Sequence, residues 1–273
     1  MDFSIEEAMQ VATHAALSAG QILRDMLESA EVREKAPKDL VTDADIAAQK
    51  AIESQIMTAF PTHLFLGEES EKSIGTSDSF DDALWRWVVD PLDGTANYVH
   101  RLPNFAVSIA LVQGSRIAMG VVFDPMACEL YAATQGGGAT VNGKSISASK
   151  CVQLDRAIVA ASFPPQVQRD SLEVDEFVEI LVRSQSVRRL GSAALNLCYV
   201  AQGRLDAYWA NNLKPWDLAA GALIATESGA VISKPDGRTF NPWVGELLVA
   251  ATLPLKNEIQ NCFIEVQKKR TSR

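Results

Sequence analysis

Between residues 85 and 134 the chain passes through four short apolar or alternating runs: Trp85 to Val89, Phe105 to Val112, Ile117 to Phe123 and Glu129 to Thr134. Gly114-Ser115 and Asp124-Pro125-Met126 punctuate them as turns. Runs this short, bounded by turn residues, read as strands, so the middle of the chain is a sheet that the flanking segments must cover. Gly136-Gly137-Gly138 and Asn142-Gly143 mark further tight turns. A glycine-rich stretch can cradle phosphate, but this one follows a strand and lacks the lysine and serine of a nucleotide-binding loop, so it reads as a turn.

The flanks read as helices. Residues 4–28 carry Ser4 as a cap, Glu6 and Glu7 in the first turn, and apolar residues from Met9 to Ile22 at helical spacing. Ala36-Pro37-Lys38-Asp39 breaks that pattern, and a second helix is expected from Asp43 to Phe60, stopped by Pro61. An apolar run, 63–66, and an acidic polar loop through residue 82 follow. The second half alternates: strands at 157–161, 205–209, 230–233 and 247–251, helices at 171–184, 192–202 and 216–228, and a last helix from about Leu255. With no repeat or linker, residues 1–273 are expected to form one catalytic domain of α/β (α+β) class. Its halves fall at about 1–150 and 151–273.

Composition narrows the function. A formal net charge of −9 is poorly suited to nucleic-acid backbones, so no direct nucleic-acid partner is expected. A small anionic substrate would also be repelled unless bound cations reverse the local field. The four cysteines and three histidines are scattered without metal-ligand spacing, which makes a zinc site improbable and reduced thiols the expectation. No apolar stretch approaches the roughly 20 residues of a membrane span, and Met1-Asp2-Phe3-Ser4-Ile5-Glu6-Glu7 does not resemble a secretory signal. A cytoplasmic protein with no membrane partner is expected.

Acidic residues carry the chemistry. In Trp87-Val88-Val89-Asp90-Pro91-Leu92-Asp93-Gly94-Thr95 an apolar strand reaches Asp90 and turns through Pro91 and Gly94. Carboxylates three apart across such a turn can point at one small volume, with the Leu92 carbonyl between them. Hard divalent cations take oxygen ligands of this kind, and the N–H groups of Gly94 and Thr95 can face a phosphate. The competing reading is a turn in which Asp90 and Asp93 only satisfy backbone donors. Glu68 and Glu69 follow an apolar run, while Asp43 and Asp45 open a helix. Asp217 sits in the first turn of an apolar helix, where a buried carboxylate needs a strong partner.

Together these segments resemble the inositol monophosphatase family. Gly67-Glu68-Glu69-Ser70, residues 87–98 and residues 215–230 match its two signatures in order and spacing, and 39–45 and 191–208 look like two further blocks. The similarity covers about residues 5–250. It implies a layered αβαβα sandwich of the sugar-phosphatase type, a homodimer, two or three Mg2+ ions and lithium sensitivity. Carried over by position, Glu68, Asp90, the Leu92 carbonyl, Asp93 and Asp217 are the implied metal ligands. Glu68, Thr95 and Asp45 are the implied catalytic residues, orienting the attacking water. Asp93, Gly94, Thr95, Arg188, Gly191, Ser192, Ala193 and Asp217 are implied to line the substrate site, and Lys35 matches a basic residue of the family's mobile N-terminal loop.

One position departs from that pattern. Inositol-hydrolysing members commonly carry a glutamate seven residues before the second-half aspartate, where this chain has Ala210. Loss of one buried acceptor weakens discrimination among alcohols by about 1–3 kcal/mol. Asn211 and Asn212 either compensate or merely form a turn. Arg188 matches the region that lines the alcohol side of the pocket, and the competing reading is that Arg188-Arg189 forms a surface or dimer-face pair. The expected activity is hydrolysis of inositol monophosphate or a similar small polyol phosphate by metal-activated water. The alternatives are a histidinol-phosphate phosphatase on the same scaffold and a non-catalytic regulatory interaction protein, since some bacterial relatives associate with transcription machinery.

Overall fold

The computed structural model describes residues 4–70, 84–164 and 166–271. Among these are seven α-helices and three sheets. The expected acidic loop through residue 82 falls largely in 71–83, outside the described residues.

A seven-stranded sheet forms the first half. Its strands are β3 (Leu64–Gly67), β4 (Trp85–Asp93), β5 (Ala106–Gln113), β6 (Arg116–Asp124), β7 (Glu129–Thr134), β8 (Ala139–Val141) and β9 (Lys144–Ser145), in that spatial order. β3 runs parallel to β4, and the remaining pairs are antiparallel. Its outer face packs on α1 (Ile5–Met26) and α2 (Asp43–Ala59). α1 offers Ala8, Ala12, Ala15, Ala16 and Ala19 on one buried face, a stripe of small side chains that lets helix and sheet approach closely. Ser4 caps it as expected, its hydroxyl accepting from Glu7 N–H at 3.0 Å.

A five-stranded sheet forms the second half, in the order β11 (Ser186–Arg188), β10 (Ile158–Ser162), β12 (Ala207–Ala210), β14 (Leu247–Ala250), β13 (Val231–Ser233). Between the two sheets lie α5 (Ala193–Ala201) and α6 (Pro215–Glu227). Both are apolar all round, as a helix must be when it faces a sheet on either side. Gly120 of β6 makes the contact possible, because a Cβ there would lie 2.8 Å from the Cα and carbonyl oxygen of Ala220. α4 (Leu172–Arg183) and α7 (Leu253–Thr271) cover the far side of the second sheet around Trp209 and Phe263. The stack is αβαβα, a layered α/β fold. No helix among the described residues is long and apolar enough to cross a membrane.

Five short strands escaped the sequence reading: β8, β9, β11 and the hairpin β1 (Val32–Ala36) and β2 (Asp39–Thr42), which brackets the Pro37-Lys38 break. β1 is exposed along its whole length and shows no apolar alternation. The glycine turn does bind an anion, but one of the chain's own: Gly136 and Gly138 N–H donate to the Glu227 carboxylate at 2.8 and 2.9 Å. His63 is a core residue, accepting from Trp87 Nε1 at 3.1 Å and stacked on Phe60.

One buried acid works against the fold. Glu176 in α4 is only 2% exposed, and its Oε2 has no hydrogen-bond partner. Burial, with Glu173 adding to it and Arg270 opposing, raises its pKa to about 7. From the ordinary value of 4.5 up to about 7, the folded chain keeps a proton that the unfolded chain has released, so stability falls as pH rises through this window. Glu176→Gln should therefore raise the Tm at pH 8, by about 2 kcal/mol of stability, and the gain should shrink toward zero near pH 4.5. Thermal melts at both pH values check this. An equal gain at each would exclude ionisation as the cause.

Candidate active site

The site begins with a register change. Asp90 pairs with Ser108 of β5, and Asp93 with Ala106, so β4 carries one residue more than its partner over this stretch. In a regular strand, residues three apart face opposite sides of the sheet. The bulge reverses that parity, and Asp93 stands opposite Ala106, which belongs to the inner core with Val88 and Ala110. Leu92 is turned to the outer core. Asp90 Oδ1 accepts from Leu92 N–H at 2.9 Å and holds the bulge closed. Gly94 follows with φ of 97°, a left-handed conformation that favours glycine, and starts the short helix α3 (Thr95–Val99).

Parallel pairing of β3 with β4 brings Glu68 to the same edge, its N–H bonded to Val89 carbonyl at 3.0 Å. Asp217 arrives from the other half. Ser108, the cross-strand partner of Asp90, donates its hydroxyl to Trp216 carbonyl at 3.0 Å and so draws the start of α6 over the strand end. Asp217 accepts from Lys214 N–H at 2.8 Å. Asp93 ties the halves together more strongly, accepting the Ser192 hydroxyl and the N–H groups of Ala193 (3.2 Å) and Ala194 (2.8 Å) at the start of α5. The side chains of Asn97 and Asn104 both donate to Leu190 carbonyl, at 2.8 and 3.0 Å, which holds the Gly191 loop against α3.

Asp45 comes from α2. Its Oδ2 takes both the N–H and the hydroxyl of Thr42, at 2.8 and 2.6 Å, in a capping box. Oδ1 is left for Thr95, whose hydroxyl lies 3.3 Å away and 3.1 Å from the Leu92 carbonyl. Lys35 Nζ reaches in from the hairpin, 3.1 Å from Glu68 and also bonded to Glu69. Although burial works against its charge, the two glutamates hold the ammonium above its ordinary pKa.

The result is a cleft of about 560 Å³ lined by Glu68, Asp90, Leu92, Asp93, Gly94, Thr95, Gly191, Ala193 and Asp217. Burial, then repulsion from Glu68, Asp93 and Asp217, pushes the Asp90 carboxyl well up. Asp217 is raised well above its ordinary value by burial and by Asp93, although the residue as a whole is only partly buried. Asp93 rises to about 6 and Asp45 to about 7, each chiefly by burial and each opposed by its hydrogen bonds. Three buried aspartates beside Glu68, with only the Lys35 ammonium paired to the set, gain from a bound hard cation. No histidine or cysteine is among them, so the donors suit magnesium or calcium rather than zinc. Among the described residues no three such groups close round one point; each is engaged by the protein donors named above.

Other implied residues lie nearby. Ser192 is fully buried behind Asp93. Arg188 is exposed, bonded to Ser186 and the Val187 carbonyl, and is not part of the cleft wall. Arg189 lines the cleft instead, along with Lys38 and the Ala161–Pro164 segment, none of which the sequence reading had placed there. Ala210 is buried in β12 opposite Ser162.

Comparison with known proteins agrees with this architecture. The model of the inositol monophosphatase family matches residues 4–272. Inositol monophosphatase 2 of Solanum lycopersicum is 40% identical over 267 residues, 96% of this chain and 99% of that one. Nus factor SuhB of Pseudomonas aeruginosa is 38% identical over 235 residues, 84% of this chain and 86% of that one. The structure of inositol monophosphatase from Anabaena superposes with a TM-score of 0.83 at 33% identity, covering 96% of both chains. Matched along nearly its whole length, with the same layered fold, the chain belongs to the inositol monophosphatase family and is a phosphoric monoester hydrolase.

Proposed function

We propose that this chain is a Mg2+-dependent phosphatase that hydrolyses the monophosphate of a small polyol, with water as the direct attacking group. The observation that carries the reading is that Glu68, at the end of β3, Asp90 and Asp93 of β4 and Asp217 of α6 line one cleft beside the N–H groups that open α3. Glu68, Asp90, Asp93, Asp217 and the Leu92 carbonyl would hold the metal. Bound there, magnesium would neutralise phosphate charge and acidify a water.

The chain's own groups do the rest. Thr95 Oγ1 stands within reach of both Asp45 Oδ1 and the Leu92 carbonyl, so it can pass a proton from water to Asp45. With a pKa of about 7, Asp45 is matched to proton transfer near neutrality. Thr42 fixes the other Asp45 oxygen and hence the direction of the relay. The N–H groups of Gly94 and Thr95, which have no partner within so short a helix, are available to phosphate oxygens. Attack in line from the Thr95 side sends the leaving alcohol toward the wall formed by Phe163, Arg189 and Leu213.

Relatives named inositol monophosphatase and Nus factor SuhB are nearly equally similar, so similarity ranks neither role. The complete acidic set favours catalysis. Phosphate release measured with magnesium and with EDTA, on inositol 1-phosphate, histidinol phosphate, fructose 1,6-bisphosphate and a 3′-phosphoadenosine nucleotide, tests the reading. Magnesium-dependent release, with the highest kcat/KM on inositol 1-phosphate, is expected. No release from any of the four would overturn it.

A further inference from the structure

The parallel strands β10 and β11 send their following residues out at one edge of the second sheet. Phe163 and Pro164 leave β10 there, and Arg189 leaves β11, all three lining the cleft across from the carboxylates. The Arg189 guanidinium lies 4.8 Å from the centroid of the Phe163 ring. A cation held over a ring face in this way favours that position and leaves N–H groups along its edge free to donate.

That edge is unspent. Arg183, Arg204, Arg238 and Arg270 each pair with a carboxylate, whereas among the described residues no hydrogen bond or ion pair engages Arg189. The neighbouring strand β12 ends in Ala210 opposite Ser162 and adds no negative charge to this wall. Phe163, Pro164 and Leu213 are apolar and suit a carbon skeleton, while Lys38 and Ser162 also line the cleft.

We propose that Arg189 is the specificity residue for the leaving alcohol, selecting esters of neutral hydroxyl-bearing alcohols and disfavouring those with a positive charge. The inference rests on the phosphatase reading above. Hydroxyls of a polyol accept from the guanidinium edge at the cleft wall. An ammonium group in the same place meets a like charge, a repulsive element of the kind that gives specificity alongside attractive contacts.

The test is kcat/KM with magnesium for inositol 1-phosphate and histidinol phosphate, on the unaltered chain and on Arg189→Met and Arg189→Lys. p-Nitrophenyl phosphate serves as a general phosphatase substrate, and thermal melting checks the fold. The unaltered chain should prefer inositol 1-phosphate. Arg189→Met should lower the ratio of the two kcat/KM values at least about tenfold, and Arg189→Lys should recover part of it, because lysine keeps the charge but not the planar fork. A ratio of two substrates cancels any general loss of activity. A ratio unchanged within about threefold overturns the inference, as does a preference for histidinol phosphate or failure to cleave either ester while p-nitrophenyl phosphate is hydrolysed. If the unaltered chain cleaves none of the three, the phosphatase reading itself is overturned, and this inference with it.

Discussion

Asp90→Asn is expected to lower turnover of a polyol phosphate at least about a hundredfold and, in the presence of EDTA, to raise the Tm. The two effects share one cause. Asp90 is desolvated and repelled by Glu68, Asp93 and Asp217. Asparagine has nearly the same shape and keeps an oxygen to accept from Leu92 N–H, so the bulge survives while the charge is removed. A charge that would bind the metal directly is worth more than the tenfold to hundredfold typical of groups that only support a ligand. Relief of the repulsion should appear as a Tm gain of about 2–4 °C per kcal/mol. Asp93→Asn makes the same charge change but should lose stability, because three donors at the start of α5 converge on that carboxylate and an amide cannot satisfy them all. Melting curves in EDTA for the two variants separate these cases. A loss of stability in Asp90→Asn would contradict the repulsion described for the cleft.

Removal of divalent cations is the second large effect. Chelation should reduce phosphate release to background and lower the Tm, and magnesium should restore both. A ligand that binds only the folded chain stabilises it by about 2.7 kcal/mol at a hundred times its Kd. The Tm should therefore climb with the logarithm of magnesium concentration, and sodium chloride at equal ionic strength should not reproduce the rise. Lys35 sets a threshold for this response, because its ammonium already partly neutralises Glu68 and Glu69. A titration followed by melting temperature in Asp90→Asn should show a weakened response. An unchanged Tm across millimolar magnesium in the unaltered chain would count against cation binding in the cleft.

The structure also gives the acidic composition a location. Net charge of −9 is no obstacle to an anionic substrate if the most crowded carboxylates are those that hold cations. Two cationic side chains, Lys38 and Arg189, stand at the cleft wall.

Helices α1, α2, α4, α5, α6 and α7 and the long strands β4 to β7 were legible in the sequence, because caps, apolar periodicity and turn residues act over a few neighbouring positions. The acidic residues of the cleft were legible as chemistry for the same reason: oxygen donors at strand ends and helix starts are local features. What only the tertiary structure decided were facing and pairing. Asp90 and Asp93 share a face because of a bulge defined against β5, and it is Arg189, just past the three-residue strand β11, rather than Arg188 that lines the cleft. Lys35 meets Glu68 through a hairpin whose exposed residues carry no apolar pattern. Strand parity and salt-bridge partners depend on chain segments tens of residues away, and a one-residue change of register turns each side chain to the opposite face.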